Sequence, residues 1–149
     1  MKAFSTIAIC SLILVLWQAE NGATFADESP TDLNSFDRWV TSLVYAPDGK
    51  TLFTAGGQSL MYRPGDVMMW DAISGKHLAT LQGHETNVWS VAVSADGATA
   101  ATSGYDGKVI VWDVAKREAN RSLEKHKGWV RSVAISPNGK LLASAGEDG

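Results

Sequence analysis

Residues 84–97 read His84-Glu85-Thr86-Asn87-Val88-Trp89-Ser90-Val91-Ala92-Val93-Ser94-Ala95-Asp96-Gly97. Residues 126–139 read His126-Lys127-Gly128-Trp129-Val130-Arg131-Ser132-Val133-Ala134-Ile135-Ser136-Pro137-Asn138-Gly139. The step from His84 to His126 persists unchanged from Asp106-Gly107 to Asp148-Gly149. A third copy, Trp39-Val40-Thr41-Ser42-Leu43-Val44-Tyr45-Ala46-Pro47-Asp48-Gly49, is irregular: the step from its Gly49 to Gly97 is longer than that from Gly97 to Gly139. The six extra residues fall between Gly56 and Val67.

Each copy reads as strands and turns with no helical period. Val88, Val91 and Val93 lie in a β-rich run that ends at the Asp96-Gly97 turn. Ala98 to Ser103 is a second strand of small residues, and Asp106-Gly107 makes a second turn. Val109-Ile110-Val111-Trp112 is continuously apolar and suits burial on both faces. Lys116 to Leu123 fits an outer fourth strand. Short strands between Asp-Gly and Asn-Gly turns indicate antiparallel meanders. Repetition at roughly 40–45 residues is the spacing of a four-stranded propeller blade. The expected fold is therefore all-β, a partial β-propeller of about two and a half four-stranded antiparallel blades.

The expected organisation follows. Residues 1–26 are a signal peptide and 27–36 a lead-in. Residues 37–81 form blade 1, with an insertion over 57–66. Residues 82–123 form blade 2 and 124–149 an incomplete blade 3. The signal rests on Met1-Lys2 followed by an apolar run from Ile7 to Trp17, and then a polar stretch. That run falls short of the roughly 20 apolar residues a bilayer span takes. Cleavage is expected after Ala26, or else after Ala23. The product would be exported, to a periplasm or the extracellular space. The only cysteine, Cys10, would leave with the signal, so stability must come from packing and hydrogen bonds without disulfides.

The formal net charge of −3 survives cleavage, because Lys2 and Glu20 leave together. With no basic stripe, nucleic acid is not an expected partner. Nor is a membrane surface, once the signal is removed. No metal-ligand spacing, haem-attachment motif or phosphate-cradling glycine loop is present, so no metal or cofactor is expected. Gly56-Gly57 and Gly104 read as turn glycines, and His77 as a residue on an exposed strand edge.

The pattern resembles the WD-repeat (WD40-type) family, in the manner of its exported bacterial members, over about residues 31–149. The matching residues are Gly83-His84, Ser94-Ala95-Asp96-Gly97, Asp106-Gly107 and Trp112-Asp113 in the second copy. In the third they are His126, Ser136-Pro137-Asn138-Gly139 and Asp148-Gly149; in the first, Ala46-Pro47-Asp48-Gly49 and Trp70-Asp71. The resemblance implies a propeller that binds other proteins and no catalytic residue. Propellers take roughly 4–8 blades, so the chain is expected to be the N-terminal part of a longer protein. In a complete disc Thr31-Asp32-Leu33, which aligns with Ala79-Thr80-Leu81, is the candidate ring-closing strand.

His84, Thr102, Asp106 and Trp112 invite comparison with a hydrolase triad. A structural reading is better founded. A buried indole N–H needs an acceptor, which the Thr102 hydroxyl supplies while donating to His84, whose other ring nitrogen donates to Asp106. His126, Ser144 and Asp148 occupy the same places one repeat later, and an active site is rarely copied once per repeat. The resemblance likewise implies a structural tetrad. In the first copy Phe36 replaces the histidine and Pro64 stands near the place of the aspartate, so no tetrad is expected there.

Loops of one rim carry Trp39, Tyr62, Arg63, Asn87, Trp89, Tyr105, Trp129 and Arg131. Aromatic and arginine residues dominate binding hot spots. The rim is thus a candidate protein- or peptide-binding surface; the alternative is that these side chains merely cover the end of the core. A non-enzymatic scaffold is the leading reading. The other is a propeller serving an enzyme or electron-transfer protein, such as a c-type haem fusion, whose functional domain lies beyond residue 149.

Overall fold

In a computed structural model, the structure describes residues 39–58 and 63–149. The expected signal peptide, the lead-in and Tyr62 lie outside the described residues. The first strands are β1 (Trp39–Tyr45), β2 (Thr51–Gly57), β3 (Gly65–Asp71) and β4 (His77–His84). Next come β5 (Val88–Val93), β6 (Thr99–Gly104), β7 (Val109–Asp113) and β8 (Glu118–Leu123), then β9 (Val130–Ile135) and β10 (Leu142–Gly146). They form antiparallel meanders β1-β2-β3-β4 and β5-β6-β7-β8, and the pair β9-β10. No helix occurs among the described residues.

The turns are built by their own side chains. The Asp48 carboxylate accepts from the Lys50 amide at 2.8 Å, Asp96 from Ala98 at 3.0 Å, and the Asn138 carbonyl from Lys140 at 3.1 Å. Each such Asx turn holds a glycine at positive φ: Gly49, Gly97 and Gly139, at 65–71°. The aspartates of the two Trp-Asp pairs work in the same way. Asp71 accepts from the Ile73 and Ser74 amides and Asp113 from the Lys116 amide, starting the turn into the outer strand.

Strand alternation gives each sheet two apolar faces. We call the face toward the preceding sheet leading and the other trailing. Phe53, Ala55, Val67, Met69 and Leu81 on the trailing face of the first sheet pack against Val88, Val91, Ala100, Ile110 and Trp112 on the leading face of the second. The same relation recurs one blade on, where Ala101, Val109, Ala92 and Leu123 meet Val130, Val133, Ile135 and Leu142. Small residues along β6 let the two layers approach. Ala100, Ala101, Thr102 and Ser103 are all 0 % exposed.

Two further devices set the stagger between blades. The innermost strands β1, β5 and β9 carry a register break at one repeat position, leaving Thr41, Trp89 and Arg131 as extra residues. Such a bulge bends a strand and re-aims its side chain. The Ser42 hydroxyl accepts from the Val91 amide, and the Ser90 hydroxyl from the Val133 amide, both at 3.4 Å. Thr41 adds a hydroxyl donation to the Val88 carbonyl.

Candidate functional site

The end of the first sheet and the second sheet bring the four tetrad residues together. His84 closes β4, Thr102 lies in β6, Asp106 in the β6–β7 turn and Trp112 in β7. The Trp112 indole Nε1 donates to Thr102 Oγ1 at 2.9 Å, and the same oxygen lies 2.8 Å from His84 Nε2. His84 Nδ1 is 3.1 and 3.0 Å from the two Asp106 carboxylate oxygens. Asp106 also accepts from the Glu85 and Lys108 amides, each at 3.0 Å. The carboxylate thereby clamps the entry to β5 against the turn into β7. Thr102 is 0 % exposed, so its hydroxyl is enclosed together with these two partners.

Burial by itself pushes the Asp106 carboxyl up, but hydrogen bonding to His84 and to the two amides outweighs it and holds the group below its ordinary range. In the third blade the His126 bond does the same for Asp148, helped by the Lys127 amide. There His126 Nε2 lies 2.8 Å from Ser144 Oγ and Nδ1 2.8 Å from Asp148. This copy is open to solvent, and its hydroxyl belongs to an exposed serine. In the first blade the Trp70 indole still donates to Thr54 Oγ1 at 2.9 Å, and the His77 ring meets the Trp70 ring edge-on at 5.2 Å. His77 itself is exposed at the start of β4.

The glycines call for a correction. Gly56, Gly57 and Gly104 are strand residues, and none of them has a positive φ. A Cβ on Gly104 would stand 2.8 Å from His84 Nδ1 and 3.0 Å from Asp106. Gly146 leaves the same room for His126, at 2.9 Å. A Cβ on Gly56 would overlap the Trp39 carbonyl at 1.8 Å. These residues are small because a ring or a backbone passes over them.

Four of the rim residues form one cluster across the boundary between blades 2 and 3. The Tyr105 ring lies 4.9 Å from that of Trp89 and 4.4 Å from that of Trp129. The Arg131 guanidinium stands 4.6 Å from the Trp89 ring centre, 5.3 Å from Trp129 and 5.9 Å from Tyr105. Its Nε also donates to Glu147 at 3.0 Å. Trp89 and Arg131 hold the bulge positions of β5 and β9. Both are legible as rim residues from the repeat alignment; the bulge that places them is not.

The other rim residues stand apart. Trp39 is 49 % exposed on β1, and Arg63 donates to the Gln58 side chain at 2.8 Å. Asn87 must be withdrawn from the rim. It is 0 % exposed, wedged against Gly57 and Gly65, where added Cβ atoms would come within 2.5 and 2.9 Å of it. Its spacing from His84 matches that of Trp129 from His126, but the glycines of the first blade draw it inward.

Among the described residues no group of three or more His, Cys, Asp or Glu could hold a metal. Two cavities among the described residues, of about 170 and 110 Å³, lie between blades and are lined mainly by turn and strand residues. Both are smaller than the roughly 300–1,000 Å³ of a typical ligand pocket.

Comparison with known proteins now bears on this geometry. Residues 75–113 and 117–149 match the family described as WD40: WD domain, G-beta repeat. The two matched segments lie side by side in the chain and take in β4 to β10. The chain is 33% identical over 67 residues to the guanine nucleotide-binding protein subunit beta of Schizosaccharomyces pombe, covering 45% of this chain and 20% of that protein. It is 34% identical over 90 residues to human apoptotic protease-activating factor 1, covering 58% of the chain and 7% of the relative. The chain thus spans a fifth or less of these curated relatives, both of them eukaryotic. The crystal structure of the RRP9 WD40 repeats superposes with a TM-score of 0.66 at 23% identity, over 73% of this chain and 33% of that one. That likeness establishes the fold: an all-β array of antiparallel sheets resembling the blades of a WD40 propeller.

Thr102→Val is expected to cost about 2–4 kcal/mol in denaturant unfolding, because it strips a buried indole and a buried imidazole of one shared partner. Ser144→Ala, at the exposed WD40 clip, is expected to cost less than about 1 kcal/mol. Asp106 carries a pH signature. Its folded pKa is depressed, so its stabilisation is complete above the unfolded value near ~3.9 and is lost as pH falls through the folded one. The stability gap between wild type and Asp106→Asn is therefore expected to stay constant from neutral pH down to about 4 and to close as pH falls further, through the folded pKa. A gap unchanged by acid would show that the carboxylate charge is not what holds the clip.

Proposed function

We propose that this WD40 array is a non-enzymatic scaffold that captures a protein or peptide on the rim cluster of Trp89, Tyr105, Trp129 and Arg131. One observation carries the reading: three aromatic rings and a guanidinium are gathered around the bulge positions at one end of the blades, outside the hydrogen-bond clips. Arg131 remains exposed, and the three rings are half-buried. Rigid aromatic surface beside a placed cation is the composition of a binding hot spot. The hydroxyl–imidazole–carboxylate sets, the other candidates for chemistry, are spent on holding strands together.

Peptides selected by display against the wild-type chain provide the test. Trp129→Ala and Arg131→Ala are expected to weaken the selected peptides at least about tenfold, or about 1.4 kcal/mol, with an unchanged far-UV circular dichroism spectrum. Peptides that bind both variants as tightly as wild type would overturn the assignment.

We also propose that the scaffold works outside the cytoplasm. The support is sequence alone: the positive start, the apolar run Ile7 to Trp17 and the small residues Thr24 and Ala26 before the expected cleavage point. Intact-mass measurement of the protein produced in a secretion-competent host is expected to show loss of residues 1–26. Quantitative retention of Met1 to Ala26 would refute export by cleavage.

A further inference from the structure

Asn120-Arg121-Ser122 lies in β8. It is the one place in the given sequence where an asparagine stands two residues before a serine or threonine with no proline between. That triplet is the acceptor for N-linked glycosylation of exported chains. A sugar is tolerated only where the folded surface leaves room for it, so the placement of Asn120 decides what the triplet can do.

β8 is the last strand of the sheet β5-β6-β7-β8. Along it Arg121 pairs with Val111 and Ala119 with Trp112, which leaves Asn120 as an extra residue at a bulge. Asn120 and Ser122 are both exposed. The same bulge recurs one blade earlier. In β4, Ala79 pairs with Met69 and His77 with Trp70, which leaves Leu78 as the extra residue. The second blade reaches this place, because the Arg117 guanidinium donates to the Leu78 carbonyl at 3.3 Å. Leu78 is nevertheless 36 % exposed. The bulge of the outer strand thus stays at the surface with the next blade in position, and Asn120 holds that place in the second blade.

We infer that Asn120 is an N-glycan acceptor. The inference rests on the export proposed above, because transfer takes place on chains entering the secretory route. In that transfer Asn120 Nδ2 attacks the anomeric carbon of an oligosaccharide carried on a lipid diphosphate. An N–C bond forms, the C–O bond to the diphosphate breaks, its electron pair leaves with the lipid diphosphate, and the amide nitrogen gives up one proton. Transfer to the extended chain asks nothing of the fold, which has only to accommodate the product. A glycan at Asn120 lies on the edge strand and shields it from pairing with another chain. The rim cluster stays clear, since Trp89 and Arg131 belong to the innermost strands β5 and β9 and β8 is the outermost of its sheet.

The full chain made in a eukaryotic secretion host, once with its own start and once behind an established cleavable signal, tests the site. Intact mass before and after peptide-N-glycosidase treatment is the readout. Behind the established signal the chain is expected to carry a mass addition that the glycosidase removes, leaving an aspartate at position 120 in the peptide map. Asn120→Gln and Ser122→Ala are each expected to lose the addition entirely, and Ser122→Thr to keep it. A chain that has shed the established signal and bears no glycan at Asn120 overturns the inference. So does an addition that persists in Asn120→Gln. A glycan behind the established signal but none with the chain's own start upholds the acceptor site and refutes the export reading instead.

Discussion

A β-meander of four short strands has two apolar faces and can cover neither alone. Everything else in this molecule answers that constraint. Burying apolar surface contributes about 25 cal/mol per Å², while ordering each residue costs about 1–2 kcal/mol of backbone entropy. A single blade falls short on that comparison, and the layer between two blades is where the balance turns. The fold therefore depends on the apolar cluster that holds Phe53 and Trp112 and on the one that holds Ala101, Val130 and Val133. The small residues of β6 follow directly, because a central strand sandwiched on both sides has little room for larger side chains.

The polar clips are secondary to that packing and are shaped by it. Trp112 fills the apolar layer, and its indole nitrogen then has to be satisfied inside it. Thr102 does so, His84 satisfies Thr102, and Asp106 satisfies His84. The chain of partners ends at a carboxylate whose remaining capacity binds two amides. The same chemistry is progressively pared in the other blades. Among the described residues, the first keeps the Trp70–Thr54 bond and the third the His126–Ser144–Asp148 part. Each surviving piece still ties side chains from separate stretches of the chain together.

Much of this was legible in the chain because repetition makes spacing informative. The steps from Gly49 to Gly97 and from Gly97 to Gly139 aligned the turns, and the Asx-glycine turns fall where Asp48, Asp96 and Asn138 stand. Partners that lie far apart in sequence but recur once per repeat, such as His84 and Thr102, were likewise readable. What escaped was anything set by close approach. Gly104 looks like a turn glycine until the His84 ring is seen lying over it. Asn87 aligns with Trp129, yet Gly57 and Gly65 turn it into a buried wedge. The bulges of the inner strands were equally hidden, since an extra residue leaves no mark on composition. They decide which side chains gather at the rim.

Native-state hydrogen exchange at low protein concentration tests most directly whether packing between blades holds the fold. Amides of β6 and β7, enclosed between the two apolar layers, are expected to exchange most slowly, through global unfolding. Those of β1 and β10, covered on one face, should exchange faster through local opening. Protection in β1 and β10 equal to that in β6 would mean that each sheet is held by its own hydrogen bonds, and would contradict the account.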